Sequence, residues 1–162
     1  MKNRKKIHGI AFAAIIAAAY VVLTYIAAAF GLASGAIQIR LSEMLTILPI
    51  FTPYAIPGVF IGCLLSNILT GCALWDIILG SLATLIGAIG TYLLRKHKLS
   101  ATLPPILANA IIVPFVLIYF YSLEGTYWYF ALTVGIGEII SCGILGTILR
   151  KSLEKTDIIN KL

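Results

Sequence analysis

The sequence predicts an all-α integral membrane protein, a six-transmembrane-helix bundle in a single membrane domain over residues 1–162. Three observations point there. The chain is 60% hydrophobic and only 11% charged, with a mean hydropathy of +1.03, against about 45–50% and about 25% in an average soluble domain. Six apolar stretches are separated by charged, proline- or glycine-rich breakers. Eleven of the twelve basic residues fall in three clusters that six crossings place on one face.

The first stretch, 7–30, follows a basic start and superficially resembles a secretory signal, with LASGA near residue 34 as a cleavage-like motif. Its run of about 24 apolar residues exceeds the 7 to 15 of a signal, so a retained crossing is expected. Ala11, Ala14 and Ala18 form one small-residue stripe, and Ala13 and Ala17 repeat the spacing. Close approach of another helix follows, either inside the bundle or from a partner subunit.

Stretches 37–52 and 55–70 are short for a bilayer, and Pro49, Pro53 and Pro57 crowd their junction, which predicts a bent or broken pair. Gly58 and Gly62 suit internal packing. Stretches 75–94, 101–121 and 127–149 complete the set, with a kink expected at Pro114.

The basic clusters are Lys2, Arg4, Lys5 and Lys6; Arg95, Lys96 and Lys98; and Arg150, Lys151, Lys155 and Lys161. The positive-inside rule then gives a multi-pass protein of the cell membrane with both termini cytoplasmic. Five or seven crossings would split the clusters. The net charge of +6 is therefore a topology signal, with the lipid bilayer as partner and no nucleic acid.

The exception is Arg40. It lies with Glu43, Asn67 and Asp76 in an apolar stretch, 38–76, where an unpaired charge costs about 2.5–3.5 kcal/mol on insertion scales. The predicted topology places these four, with Trp75, Glu124, Tyr127 and Trp128, at the outer leaflet, which suggests a ligand pocket. Glu138, about twelve residues or roughly 18 Å from either end of the last stretch, is the deepest carboxylate. Its small neighbours in GIGEIISCG leave space beside it. Each residue also has a plainer role. Arg40 and Glu43, at i and i+3, could neutralise each other. Trp75 and Trp128 could anchor at the interface, and Asp76 and Glu124 could be solvated loop acids. Asn67 could satisfy a neighbouring helix, and Glu138 could be a protonated acid bonded to another helix or part of a proton relay. Asn109, near Pro114, is a weaker pocket candidate.

Catalysis is not expected. GxxxxGK[ST], HExxH and GxSxG motifs are absent, so a binding subunit powered by a partner or an ion gradient fits better than an enzyme. Cys63, Cys72 and Cys142 make no CxxC pair and read as small packing residues, while His8 and His97 sit in polar flanks. Neither a cofactor nor a metal is indicated.

The segments QIRLSEMLTILPIF, AIPGVFIGCLLSNILTG, WDIILGSLATLIGA and GEIISC, with the alanine-rich first helix and the basic interior face, resemble the substrate-binding S component of an energy-coupling factor (ECF) transporter. Within that group they are similar to the queuosine precursor transporter (QueT) family, over about residues 7–150. The resemblance implies a fold of the ECF S-component type that captures queuine or another deazaguanine precursor of queuosine. A transmembrane coupling subunit, docked on Ala11, Ala14 and Ala18, and two ATPase subunits would complete the transporter, and the protein would tilt to release its load. A guanine-like edge presents two parallel donors that one carboxylate can accept, which suits Glu138 or Glu43. An aminomethyl ammonium would suit Asp76 or Glu124, with Trp128 or Trp75 stacking on the ring. An S component for another vitamin, or a stand-alone secondary transporter driven by protons through Glu138, are the alternatives.

Overall fold

The structure is a computed structural model that describes residues 2–32 and 37–156. Residues 33–36 of the cleavage-like motif, Met1 and Lys161 lie outside them. Among the described residues every regular element is helical. Helix α1 is Lys2–Ala29, followed by a 3₁₀ helix, Leu41–Ile50, and then α2, Ala55–Leu69, and α3, Leu74–Leu93. A 3₁₀ turn, Ser100–Thr102, leads into α4, Leu103–Tyr119. Helix α5, Tyr127–Glu138, continues through a π-helical segment, Ile139–Leu145, into α6, Gly146–Glu154.

Four helical stretches are long and apolar enough to cross a membrane: Lys6–Ala29, Leu74–Leu93, Ser100–Tyr119 and Tyr127–Glu154. The other two apolar helices, Leu41–Ile50 and Ala55–Leu69, are shorter. At about 2.0 Å per residue for a 3₁₀ helix and about 1.5 Å for an α-helix, they reach about 20 Å and about 22 Å, against a hydrocarbon layer of about 30 Å. The architecture is thus all-helical and membrane-protein-like, with four spanning-length helices and one short pair.

Prolines explain the short pair. Pro49 lies inside the 3₁₀ helix, Pro53 in the link to α2, and Pro57 in the first turn of α2, where its missing N–H costs nothing. Pro104 and Pro105 open α4 in the same way, and α4 continues through Pro114. Helix α5 begins where Thr126 Oγ1 accepts the Tyr129 N–H at 3.3 Å.

Polarity is inverted relative to a soluble protein. Ile7, Ile15, Ile86, Leu107 and Ile144 face outward, while Glu43, Asn67, Asp76, Asn109 and Glu138 are buried. That is the distribution a lipid surround favours, because apolar side chains lose nothing against acyl chains and polar groups need partners inside. Small residues bring the helices together. Helix α1 packs on α2, α2 on α3, α3 on α4 and α4 on α5. A Cβ on Gly62 would stand 2.6 Å from Tyr20 Cβ and 3.0 Å from Ala17 Cα. Ala13 and Ala17 turn toward α2, whereas Ala11, Ala14 and Ala18 are exposed on the opposite side of α1.

Lys98 Nζ pairs with Glu154 at 2.8 Å and Arg150 with the same carboxylate at 3.4 Å. These contacts gather two of the basic clusters at one end of the bundle.

The α1–α2 contact allows a direct test of packing. Gly62→Ala is expected to cost about 1–3 kcal/mol, the usual range for overpacking, seen as a lower melting temperature in detergent. Ala14→Val, on the exposed face, should stay within about 0.5 kcal/mol.

Candidate functional site

A cavity of about 310 Å³ opens at the other end of the bundle, near the lower limit of the roughly 300–1,000 Å³ usual for small-molecule sites. Its walls come from the last turns of α1, α2 and α4, the first turn of α3 and the 38–42 segment. The Arg95–Lys98 cluster follows the far end of α3, so the cavity and that cluster sit at opposite ends of the molecule.

Arg40, Asn67 and Asp76 line this cavity together. Asp76 sits in the first turn of α3, where the helix dipole favours a carboxylate. Its Oδ2 accepts from Tyr121 Oη at 3.0 Å, and that hydroxyl also accepts the Ala73 N–H at 3.1 Å. Burial, with the Asp76 charge adding to it against the Ala73 bond, pushes the Tyr121 phenol up to about 12, so it stays a donor. Asp76 is 5% exposed, and its Oδ1 is buried with no hydrogen-bond partner among the described residues.

Arg40 is half-buried. Among the described residues its guanidinium makes no hydrogen bond or ion pair, although Asp76 is the charge that attracts it most strongly. The neighbouring wall is hydroxyl-rich, with Thr24 Oγ1 donating to Ser42 Oγ at 3.0 Å. Asn67 Nδ2 reaches the Cys63 sulfur at 3.6 Å. A cationic fork, an amide and a carboxylate with one oxygen unpartnered among the described residues therefore belong to the lining of one cavity. Such a set can hold a small planar ligand carrying both donors and acceptors.

Glu43 and Glu138 are not among the lining residues; they lie in the core. Glu43 is fully buried, and its Oε1 accepts from Tyr20 Oη and, at 3.2 Å, from Thr84 Oγ1. Glu138 Oε2 accepts from the Cys142 thiol at 3.1 Å. Among the described residues, Glu43, Glu138 and Cys142 are the cluster with metal-ligand spacing, their ligand atoms lying within 4.8 Å of one another. Cys142 therefore does more than fill space.

Among the described residues Arg40 and Glu43 form no ion pair. Arg40 precedes the 3₁₀ helix in an extended conformation (φ −97°, ψ 96°), so the two residues do not share a helical face. Trp75 is 48% exposed and stacks on Phe120 at 5.1 Å, while Trp128 is 78% exposed and meets Tyr127 edge-on at 5.5 Å. Neither tryptophan lines the cavity, nor does the exposed Glu124. Sequence reasoning missed Tyr20, Thr24, Ser42 and Tyr121. Tyr20 and Thr24, one turn apart in an alanine-rich helix, were a legible polar face.

Removing one donor from the buried Glu43 carboxyl should be costly. Tyr20→Phe is expected to lower stability by about 1–3 kcal/mol, read as a melting shift. Tyr25→Phe, which loses an exposed bond to the Leu69 carbonyl, is expected to change it by less than about 0.5 kcal/mol.

Comparison with known proteins adds the following. The sequence model of a family described as QueT transporter matches residues 10–155. The chain is 38% identical over 98 residues to a protein of Lactococcus lactis subsp. cremoris called queuosine precursor transporter QueT. That stretch covers 59% of the chain and 57% of the relative, a little over half its length. No solved structure matches.

Proposed function

The chain belongs to the QueT transporter family, and from that premise we propose that it captures a queuosine precursor of the deazaguanine class in the cavity at Arg40, Asn67 and Asp76. The observation that carries this reading is that Arg40 and Asp76 line one cavity without forming an ion pair, Asp76 Oδ1 having no hydrogen-bond partner among the described residues. A deazaguanine has a donor edge, an N–H beside an amino group, and a carbonyl acceptor. Asp76 accepts from the donor edge or from an aminomethyl ammonium, and Arg40 donates to the carbonyl. Tyr121 fixes the carboxylate so that Oδ1 remains available to ligand. Glu43 acts through Tyr20, which reaches both the cavity and the core. Glu138 supports Glu43 from below, and Trp75, Glu124 and Trp128 belong to the cavity's approaches.

The basic end of the bundle faces the cytoplasm in this proposal, with both termini, and the cavity opens outward. The chain carries no phosphate-binding motif, so energy comes from two ATPase subunits through an ECF coupling subunit. The exposed Ala11, Ala14 and Ala18 face of α1 is the docking surface for that subunit.

Isothermal calorimetry on purified protein tests the site and the ligand class together. Queuine and its aminomethyl precursor should bind where vitamins do not. Asp76→Asn should weaken that binding at least about tenfold, or about 1.4 kcal/mol, and Glu124→Gln should leave it unchanged. Binding of a vitamin instead, or full affinity in Asp76→Asn, would overturn the assignment.

A further inference from the structure

Glu43 and Glu138 are the buried acids with no direct part in the cavity. They are 0% and 5% exposed, and their nearest carboxyl oxygens lie within 4.8 Å of each other and of the Cys142 sulfur. The groups facing them come from every neighbouring element. Tyr20 of α1 and Thr84 of α3 donate to Glu43 Oε1, and Cys142 of the π-helical segment donates to Glu138. Cys63 of α2 faces Glu43, and Asn109 of α4 faces Glu138. The cation acting on both is Arg40, which pairs with neither and is drawn more strongly to Asp76. Independently of these contacts, Glu43 Oε2 is fully buried and has no hydrogen-bond partner among the described residues.

Two bare carboxylates this close, walled from water and without a paired cation, repel each other too strongly to persist. Something positive must be held between them. We propose that Glu43 and Glu138 share a single bound proton, so that the core beneath the cavity is a proton-binding site with a net charge of −1. The balance is one proton for two carboxylates, with no further reactant. A divalent cation is the competing occupant, since two carboxylates and a thiol also suit a metal. The proton is favoured because the Cys142 sulfur is hydrogen-bonded as a thiol, to Glu138 Oε2 at 3.1 Å and toward the Glu43 carbonyl at 3.4 Å, whereas a metal would need it as a thiolate. Through Tyr20, which lines the cavity and bonds Glu43, loss of the proton would place a second negative charge directly behind the ligand's wall.

Infrared spectroscopy of ligand-free protein near neutral pH, with elemental analysis of the same sample, tests the proposal without relying on the transport reading. A deuterium-sensitive band of a protonated buried carboxyl is expected, and it should be lost or displaced in both Glu43→Gln and Glu138→Gln. Absence of the band, a change in one variant only, or one divalent ion per chain would each overturn the sharing. Should a Gln variant not fold, Cys142→Ser keeps both acids and alters the donor on Glu138. It is expected to displace the same band, and an unchanged band there would overturn the proposal equally.

Discussion

A carboxylate buried among apolar helices has to be satisfied by whatever surrounds it, and Glu43 imposes that demand on most of the bundle. Its acceptors draw Tyr20 from α1 and Thr84 from α3 onto the 3₁₀ helix. Its backbone carbonyl takes a bond from Thr46 and lies 3.4 Å from the Cys142 thiol of the last helix. Four elements are thereby held in one register by a single acidic residue. Lipid outside the bundle offers no alternative partners, so the cost of breaking this arrangement is that of an unsatisfied buried group.

The cavity depends on the same arrangement. Tyr20 stands between Glu43 and the open space, and the 38–42 segment that carries Arg40 leads directly into the 3₁₀ helix. Close helix contacts made by small residues, such as Gly62 against Tyr20, set the position of that tyrosine. Packing on one side and hydrogen bonding on the other leave Arg40 and Asp76 lining one cavity without an ion pair among the described residues. A ligand can then take up bonding capacity that the protein has left open.

Much of this was legible in the sequence. Arg40, Asn67 and Asp76 come from separate segments, and the distribution of basic residues alone placed them at a common end, where one cavity joins them. What could not be read has physical causes. The regular helix starts only at Leu41 and leaves Arg40 extended before it, which removed the face that Arg40 and Glu43 would have shared in the helix assumed for 37–52. Depth along a helix cannot distinguish a cavity wall from a core contact, so Glu43 and Glu138 looked like pocket residues although side-chain direction turns them inward. Tyr121 lies past the end of α4, where an aromatic residue reads equally as an interfacial anchor. Trp75 and Trp128 pack on Phe120 and Tyr127 and are not among the residues that line the cavity.

The proposed capture at Arg40 and Asp76 is the step that would link the fold to transport. Native mass spectrometry of protein purified from cells supplied with queuosine precursors tests that link most directly. The expected result is one deazaguanine bound per chain, absent when Arg40 or Asp76 is replaced by its neutral counterpart. A chain that carries a different small molecule, or that retains the deazaguanine in both variants, would contradict it.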